Sequence, residues 1–417
     1  MIQAYSAFTD EVDDVQAAVA AILAQIPLDK LLTNSIGLIG CQAYYIESGV
    51  VAALQQALPF DIIGQTTIAG TAKDATDLSV LTLMVWTSDE LVFATSLSAP
   101  IASEDEAIVI ASYQDALAAA GQPTGLPAGQ PTGQPAGQPA GQPANHPANH
   151  PAGQPAFMLT YAPLLLTVGG DFFVNTLDAA SGGVPNFGTL AVDHTLDYHL
   201  SQVIYQGAGY SDRLALVLVY GDVQPRYYLA TISDEKVFAE SGLVTKSSGN
   251  QVMAVNGKPA VEFLKEKGLA TDANGVMEGV NSFPYIVDFN DGTDPVIRVI
   301  FATTPEGYAV CLGDVPEGST LSVGYFDDEE ILRSTGGKLA ELELSGAHMV
   351  LIYSCIGRYF NLGFTPERGL DLIHKYLGGS GLPYTETYSG GEICPVDARG
   401  GGLANRFHNS TFIALVL

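Results

Sequence analysis

A run of short proline repeats interrupts the first half of the chain and most restricts what it can fold into. From residue 121 to residue 156 the sequence consists of nine four-residue units, such as GQPA and NHPA, and each has proline in its third position. Proline removes a backbone donor and fixes one backbone dihedral, so this spacing excludes helix and sheet, and the tract has little apolar surface to bury. We therefore predict a disordered, extended loop within one domain, because the same texture of strands and helices continues on both sides.

Outside this tract the apolar pattern alternates between strands and helices. Residues 11–25 have apolar positions at helical spacing, whereas residues 36–41 and 213–222 are continuous apolar runs typical of buried strands. The texture changes after residue 233, and residues 250–268 then form a strand, an Asn-Gly turn and a helix. The pattern predicts an α/β (α+β) fold with two layered sheet-and-helix domains, at 1–238 and 239–417.

Two segments share one order of parts. Residues 37–86 and residues 349–417 each contain an apolar strand ending in a cysteine (Cys41 and Cys355), an amphipathic helix, a glycine-containing turn and a closing β-rich strand. Either the two domains are related as an internal repeat or two ordinary strand–helix–strand units resemble each other by chance. The matched cysteines and glycine turns favour the repeat.

Composition excludes several classes of protein. The formal net charge of −28 disfavours binding to nucleic acid or to an anionic membrane surface. No stretch has the roughly 18 uncharged apolar residues of a membrane span, and the first residues lack the basic start of a signal peptide. The four cysteines have no metal-ligand spacing and no pattern of a disulfide framework. We expect a cytoplasmic protein without a membrane span and without partners made of nucleic acid.

The last part of the chain concentrates polar groups at predicted strand ends and turns. "LIYSCIGR" (351–358) ends a buried strand, "SGGEIC" (389–394) is a tight turn, and "NRFHNST" (405–411) precedes the final strand. Where strands end together at one edge of a sheet, ligand crevices form. The predicted ligand-binding residues in these three segments are Arg358, Glu392, His408, Asn409, Cys355 and Gly391.

Three interpretations of these residues remain open. Arg358 and Glu392, both expected on loops, would bind the carboxylate and the ammonium group of an amino-acid-like ligand. They would otherwise form an ion pair that fixes two loops. A third interpretation is a hydrolase that uses a cysteine with Glu392 and His408, although a thiol at a strand end is more often part of the core.

Two histidines in the first domain are further candidates. His194 and His199 follow a glycine-rich turn and could ligate haem, but each stands near an aspartate, Asp193 or Asp197, as surface histidines often do. The turn lacks the glycine spacing and the lysine of a nucleotide-binding loop. We therefore predict that the protein has no cofactor, and we keep haem as the alternative.

Several segments, taken together, resemble the FIST family, named for F-box and intracellular signal transduction proteins. "IIGQTTIAG" and "GVPNFGTLAVD" look like landmarks of its N-terminal domain, and "GLVTKSSGNQVMAVNGKPAVEFL" like the segment that opens its C-terminal domain. "LIYSCIGR", "YSGGEI" and "FHNST" are similar to its C-terminal motifs. One departure is Thr71 after Gly70, where the family usually has glutamate.

The resemblance implies a cytoplasmic sensory module for small ligands such as amino acids, coupled to histidine kinases, cyclases or chemoreceptors. Because no such output segment follows in this chain, we expect the partner to be a separate protein. Some relatives bind haem and report nitric oxide, which makes a haem-based sensor the alternative within the family. The family has no agreed catalytic residues that could be assigned to positions of this chain, and we predict no metal site.

Overall fold

The computed structural model describes residues 1–73, 75, 80–121, 153–165, 167–195, 197–272, 277, 279–363, 365, 367–399 and 401–417, with the backbone alone at position 281. Within these ranges the fold is mixed α/β, with helices packed against four sheets. This confirms the predicted fold class. The disorder predicted for 121–156 is not tested, because 122–152 lie outside the described residues.

Three of the four sheets are built from one repeated unit. Each unit runs strand, helix, strand, helix, strand, a short arm that leaves the sheet, and a closing strand. In each sheet the closing strand lies between the first strand and a parallel pair formed by the second and third strands. We call these units repeat 1 (2–88), repeat 2 (92–220) and repeat 3 (226–230 and 328–416).

The elements of the first two repeats follow each other without interruption by another sheet. Repeat 1 contains β1 (Ile2–Thr9), α1 (Val15–Leu23), β2 (Asn34–Cys41), α2 (Tyr44–Glu47), α3 (Val50–Ala57), β3 (Ile62–Thr66), β4 (Gly70–Ala72) and β5 (Leu81–Ser88). Repeat 2 contains β6 (Val92–Leu97), α4 (Glu106–Ala119), β7 (Phe157–Ala162), α5 (Gly170–Ser181), β8 (Asn186–Leu190), β9 (Val203–Tyr205), β10 (Ala208–Tyr210) and β11 (Ala215–Tyr220).

Repeat 3 is divided by an insertion that forms the fourth sheet. After β12 (Arg226–Ala230) the insertion contains β13 (Gly242–Ser248), β14 (Gln251–Val255), β15 (Lys258–Pro259), α6 (Ala260–Glu266), β16 (Tyr285–Asp288), β17 (Val296–Arg298), β18 (Ile300–Thr303), β19 (Ala309–Cys311) and β20 (Thr320–Val323). Repeat 3 resumes with α7 (Asp328–Glu341), β21 (Val350–Cys355), α8 (Ile356–Asn361), α9 (Glu367–Leu377), β22 (Tyr384–Ser389), β23 (Glu392–Asp397), β24 (Leu403–His408) and β25 (Phe412–Val416). Short 3-10 helices cover Leu28–Lys30, Asp234–Lys236 and Val280–Ser282.

The first long helix of each repeat begins in the same way. Asp14, Asp105 and Asp327 are the N-cap residues of α1, α4 and α7, and each side chain accepts backbone N–H groups of the first turn. An aspartate in this position satisfies donors that the helix itself leaves free and places negative charge at the positive end of the helix dipole. The shared cap is a local sequence signal of the repeat.

The arms join the three repeats in a closed cycle. The arm of repeat 1, β4, pairs with β22 of repeat 3, and the arm of repeat 2, β9, pairs with β3 of repeat 1. The arm of repeat 3, β23, pairs with β8 of repeat 2. The strand orders are therefore β1-β5-β2-β3-β9-β10, β6-β11-β7-β8-β23-β24 and β12-β25-β21-β22-β4, and the insertion has β17-β16-β20-β13-β14-β19-β18 with β15 on β14.

The main core lies where the inner faces of the three sheets meet. Leu38, Leu159 and Leu351 occupy the same position of the second strand in their repeats and belong to one buried cluster. The outer faces pack on the helices in three separate clusters, one for each repeat. Each of these sheets is thus buried on both faces, which explains why the parallel strands read as continuous apolar runs.

The predicted internal repeat is present, but it has three copies and one detail of the match was wrong. Cys41 packs with Ile39 under the helices of repeat 1. Cys355 follows the alternation of Leu351 and Tyr353, which face the central core. The two cysteines are therefore one residue out of step and are not equivalent. Where the chain divides into two domains stays a prediction.

Candidate functional site

The carboxyl end of the parallel pair β21/β22 holds a buried group of polar side chains. Cys355 is the last residue of β21, Arg358 lies in α8, and Glu392 is the first residue of the arm β23. The expectation that both charged residues lie on loops was wrong, since regular elements and the core hold them. We call Cys355, Arg358, Ser389, Glu392, Ser410 and Thr411 the polar cluster.

Glu392 is fully buried and is held by hydroxyl groups rather than by a cation. Ser389 Oγ donates to one carboxylate oxygen at 2.5 Å, and the Thr411 hydroxyl donates to the other at 2.6 Å, with the Thr411 N–H at 3.2 Å. Burial raises the pKa of Glu392 to about 7, although these hydrogen bonds act in the opposite direction. At neutral pH the carboxyl group is thus close to its titration midpoint.

Cys355 lies in hydrogen-bonding contact with the Glu392 carboxyl group and is 4% exposed. Burial raises the pKa of its thiol well above the ordinary value, and the charge of Glu392 raises it further, while N–H groups of Gly357 and Ser410 oppose this effect. A nucleophilic cysteine needs the thiolate, which a low pKa provides. The environment of Cys355 stabilises the thiol instead.

Arg358 is one of the largest fully buried side chains in the described part of the protein. Its guanidinium donates to the carbonyls of Ser410 and Ile331 at 3.2 and 2.9 Å and to the hydroxyls of Ser334 and Thr335 at 3.0 and 2.6 Å. Its Nε has no hydrogen-bond partner among the described residues. Burial lowers the pKa of Arg358 to about 10, which the Glu392 charge partly offsets.

Arg358 and Glu392 do not form the ion pair that one interpretation required. Within the described residues no carboxylate lies within 4 Å of the Arg358 guanidinium. The charge of Glu392 is close enough to raise the pKa of Arg358, but each of the two groups is held by neutral groups. The polar cluster therefore contains a buried cation and a buried acid that are not directly paired.

The structure places His408, Asn409 and Gly391 beside the cluster in structural roles. His408 is buried, donates through Nε2 to the Cys394 carbonyl at 3.2 Å, and burial lowers its pKa to about 3. Asn409 joins β24 to the insertion, because its Oδ1 accepts the Val299 N–H at 3.4 Å. Gly391 has φ +151°, and a Cβ there would lie 2.5 Å from the Phe407 ring. That these three residues bind a ligand stays a prediction.

Comparison with known families identifies the chain. The FIST N domain matches residues 35–258, and the FIST C domain matches residues 260–395. The chain belongs to the FIST family. FIST domains form a sensory family of signal transduction, so this FIST protein belongs to that broad functional class.

Other comparisons add little for this FIST protein. No curated protein matched the chain. Among solved structures it is similar to the cyanuric acid hydrolase from A. caulinodans, with 10% sequence identity, a TM-score of 0.35, and coverage of 100% of this chain and 99% of that one. A likeness at this score carries no argument about activity.

The two histidines considered as haem ligands lie on the surface of the FIST protein, in the connection between β8 and β9. His194 Nε2 is 2.5 Å from the Tyr44 hydroxyl, and the two rings are 4.6 Å apart. His199 Nδ1 is 2.7 Å from Asp197 Oδ1, which raises the pKa of His199. Both histidines thus have a partner in the protein. In the described ranges no cluster of three metal-ligating side chains occurs and no helix is long and apolar enough to cross a membrane.

Sequence reasoning missed the hydroxyl groups of the cluster. Ser389, Ser410 and Thr411 stood in quoted motifs but were not assigned a role. Ser410 is the most informative, because it has φ +51° and its buried Oγ has no hydrogen-bond partner among the described residues. Its Oγ would lie 2.6 Å from a Cβ at Gly357, so the glycine of the motif makes room for this hydroxyl.

Proposed function

We propose that this FIST protein is a cytoplasmic sensor that binds a small amino-acid-like ligand in the polar cluster and signals to a separate protein. Arg358 binds the ligand's carboxylate and Glu392 binds its ammonium group. The family's sensory role supports the first part of the proposal. The partner would be a histidine kinase, a cyclase or a chemoreceptor.

One observation supports a ligand with a carboxylate group. Arg358 is buried, and among the described residues no carboxylate lies within ion-pair distance of it. A buried cation is costly when only neutral groups surround it, and its unpartnered Nε adds to that cost. A ligand carboxylate would supply both the missing charge and the missing acceptor. The nearby Glu392, poised near pKa 7, would pair with the ammonium group of the same ligand.

The arm of repeat 2 offers a way to convert binding into a signal. Tyr198, in the segment before β9, packs on the cluster that contains Ile356 at the start of α8, and it lies near Cys355. Because the polar cluster is almost closed to solvent, we propose that a ligand enters by displacing this contact. Binding would therefore change how repeat 2 packs on repeat 3, which is the kind of movement that a partner protein can detect.

The test begins with a thermal-shift screen of the natural amino acids and of matched amines and carboxylates. Calorimetry on the best ligand then compares the parent with Arg358→Met, after melting curves establish that the variant is folded. We expect a loss of about 2–4 kcal/mol in binding, or roughly 30- to 1,000-fold in affinity. Arg368→Met is the matched control, since Arg368 is an exposed arginine on α9 that pairs with Asp328 at the surface.

Two results would count against the proposal. If Arg358→Met and Arg358→Lys bound the ligand as tightly as the parent, the carboxylate site would lie elsewhere. If affinity did not rise with pH through about 7, the range in which Glu392 ionises, that residue would not hold the ammonium group.

A further inference from the structure

A cleft lies between the insertion and repeat 2, and none of its lining residues belongs to the polar cluster. The cleft has a volume of about 310 Å³, near the lower end for small-molecule sites. Its walls come from α5, from β24 and from the loops of the insertion that flank β16 and precede β20. Six lining residues carry the argument: Asp171, Phe289, Asp291, Asp314, Arg406 and Phe407.

Two of the three carboxylates in this cleft are neutralised by the protein. Asp171 is buried and pairs with Arg298 at 2.8 Å, and its other oxygen accepts the backbone N–H of Asp314 at 2.8 Å. Asp291 pairs with Arg406 and accepts the N–H and hydroxyl of Thr293 at 3.0 and 2.8 Å. These two pairs join the insertion to repeat 2 and to β24.

The third carboxylate, that of Asp314, is not paired with a cation among the described residues. In the described part of the chain no hydrogen bond or ion pair reaches its side chain, although the residue is half-buried. Burial raises the pKa of Asp314, the negative charges of Asp171 and Glu104 raise it further, and Arg298 opposes them. Arg298 Nε donates to the backbone carbonyl of Asp314 at 2.9 Å, whereas the side-chain carboxylate of Asp314 is left for a positive group to bind.

The rest of the cleft suits an aliphatic chain more than a hydrated ion. The Phe289 ring has the Arg406 and Arg298 guanidinium groups 5.4 and 5.6 Å from its centroid, so both guanidiniums are held against the wall. Phe407 and Val174 line the same cavity, but they are only 1% and 2% exposed and add little surface that a ligand could contact. No cluster of three metal-ligating side chains occurs among the described residues, here or elsewhere. A metal ion would also gain nothing from aromatic walls.

We propose that this cleft binds a small aliphatic amine, with the ammonium group on Asp314 and the alkyl chain along the partly exposed ring of Phe289. The ligand needs no carboxylate, because Arg406 is already paired with Asp291. This cleft shares no residue with the polar cluster. Its walls come from both the insertion and the repeats. An amine bound there would hold the insertion more firmly on repeat 2.

The experiment measures binding of 1,4-diaminobutane and butylamine to the full chain by calorimetry, with butanoate and 4-aminobutanoate as comparison compounds. We expect the two amines to bind with one site and butanoate not to bind. Asp314→Asn should weaken amine binding about tenfold or more, because a charge-assisted hydrogen bond is lost. The backbone N–H of Asp314, which bonds to Asp171, is retained in this variant, so the fold should persist.

The matched control is Asp294→Asn, which removes the same charge from an exposed position of the insertion outside the cleft. It should bind the amines as the parent does. Equal weakening in both variants would mean that the net charge of the protein attracts the amines without a site. Absence of binding at millimolar amine, or clearly tighter binding of 4-aminobutanoate than of butylamine, would overturn the proposal.

Either proposal can be refuted without refuting the other. Arg358→Met should leave amine binding in the cleft unchanged, and Asp314→Asn should leave binding to the polar cluster unchanged. Loss of amine binding in Arg358→Met, with binding retained in Asp314→Asn, would place the amine in the polar cluster and refute the second site.

Discussion

Glu386 should make this protein less stable as the pH rises from 5 to 8. Glu386 lies on β22, is 1% exposed, and neither carboxylate oxygen has a hydrogen-bond partner among the described residues. Gly64 and Gly188 occupy the same register position in repeats 1 and 2. Repeat 3 thus buries an acid at a position where the other two repeats have no side chain.

The magnitude follows from the pKa of this one group. Burial raises the pKa of Glu386 from 4.5 to about 8. Below pH 4.5 the carboxyl group is protonated in both the folded and the unfolded chain, so it contributes no dependence of stability on pH. Between these values the unfolded chain loses the proton and the folded chain keeps it, so the free energy of unfolding falls as pH rises. At about 1.4 kcal/mol for each unit of pKa, the loss is about 3 kcal/mol at pH 7 and about 5 kcal/mol above pH 8.

The assay is chemical or thermal unfolding of the parent and of Glu386→Gln at a series of pH values from 5 to 8. The side chain of this variant cannot ionise, so its stability should fall less steeply with pH than that of the parent, and the two curves should diverge towards pH 8. Glu367→Gln is the control, because Glu367 is an exposed glutamate at the start of α9. Parallel curves for the parent and Glu386→Gln would refute the reasoning and would mean that the carboxyl group is solvated or paired in solution.

Three further predictions rest on other parts of the fold. Cys355 should react slowly with a thiol reagent at neutral pH until the protein unfolds, since burial raises its pKa, and Cys355→Ala should lower stability by about 1–2 kcal/mol in denaturation experiments. Arg298→Met should leave Asp171 buried without its partner and cost about 3–5 kcal/mol, and proteolysis should then cut the insertion faster than in the parent. Replacing 122–155 by a short Gly/Ser loop should change the melting temperature by only a few degrees, because long surface loops cost little closure entropy; a large drop would show that the tract packs on the protein.

The repeated unit was partly visible in the sequence. Repeats 1 and 3 share strands, helices and turns of similar length, so the alternation of apolar residues was sufficient to match them. Repeat 2 was not recognised in the sequence, because the proline tract lies between α4 and β7 and because its strand β7 ends in Ala162 rather than in a cysteine. What all three share is the aspartate cap and the order of strands in the sheet. The sheet order depends on contacts between distant segments, which periodicity does not report.

The sequence indicated which residues form the polar cluster only in part, and it did not indicate their environment. The motifs around Arg358 and Glu392 indicated that both residues lie at the carboxyl end of the parallel strands, because polar residues directly after apolar strands are a local signal. The partners of Arg358 are distant in sequence: Ser334 and Thr335 lie on α7, and Ser410 lies before β25. A charged side chain is expected on the surface unless such partners are known. The local sequence pattern therefore could not predict that the whole polar cluster is buried.

The position of the polar cluster follows from the exchange of arms between the repeats. Each of the three arms follows the parallel strand pair of its own repeat in the chain and becomes part of another repeat's sheet. Glu392 is the first residue of such an arm, and in the same strand Ile393 pairs with Gly188 of repeat 2. Its carboxyl group is held by Thr411, just before the closing strand of repeat 3. A ligand that drew Glu392 away from Thr411 would have to strain either the closing strand of one sheet or the added strand of the next. The polar cluster therefore lies where a local change would affect two sheets at once.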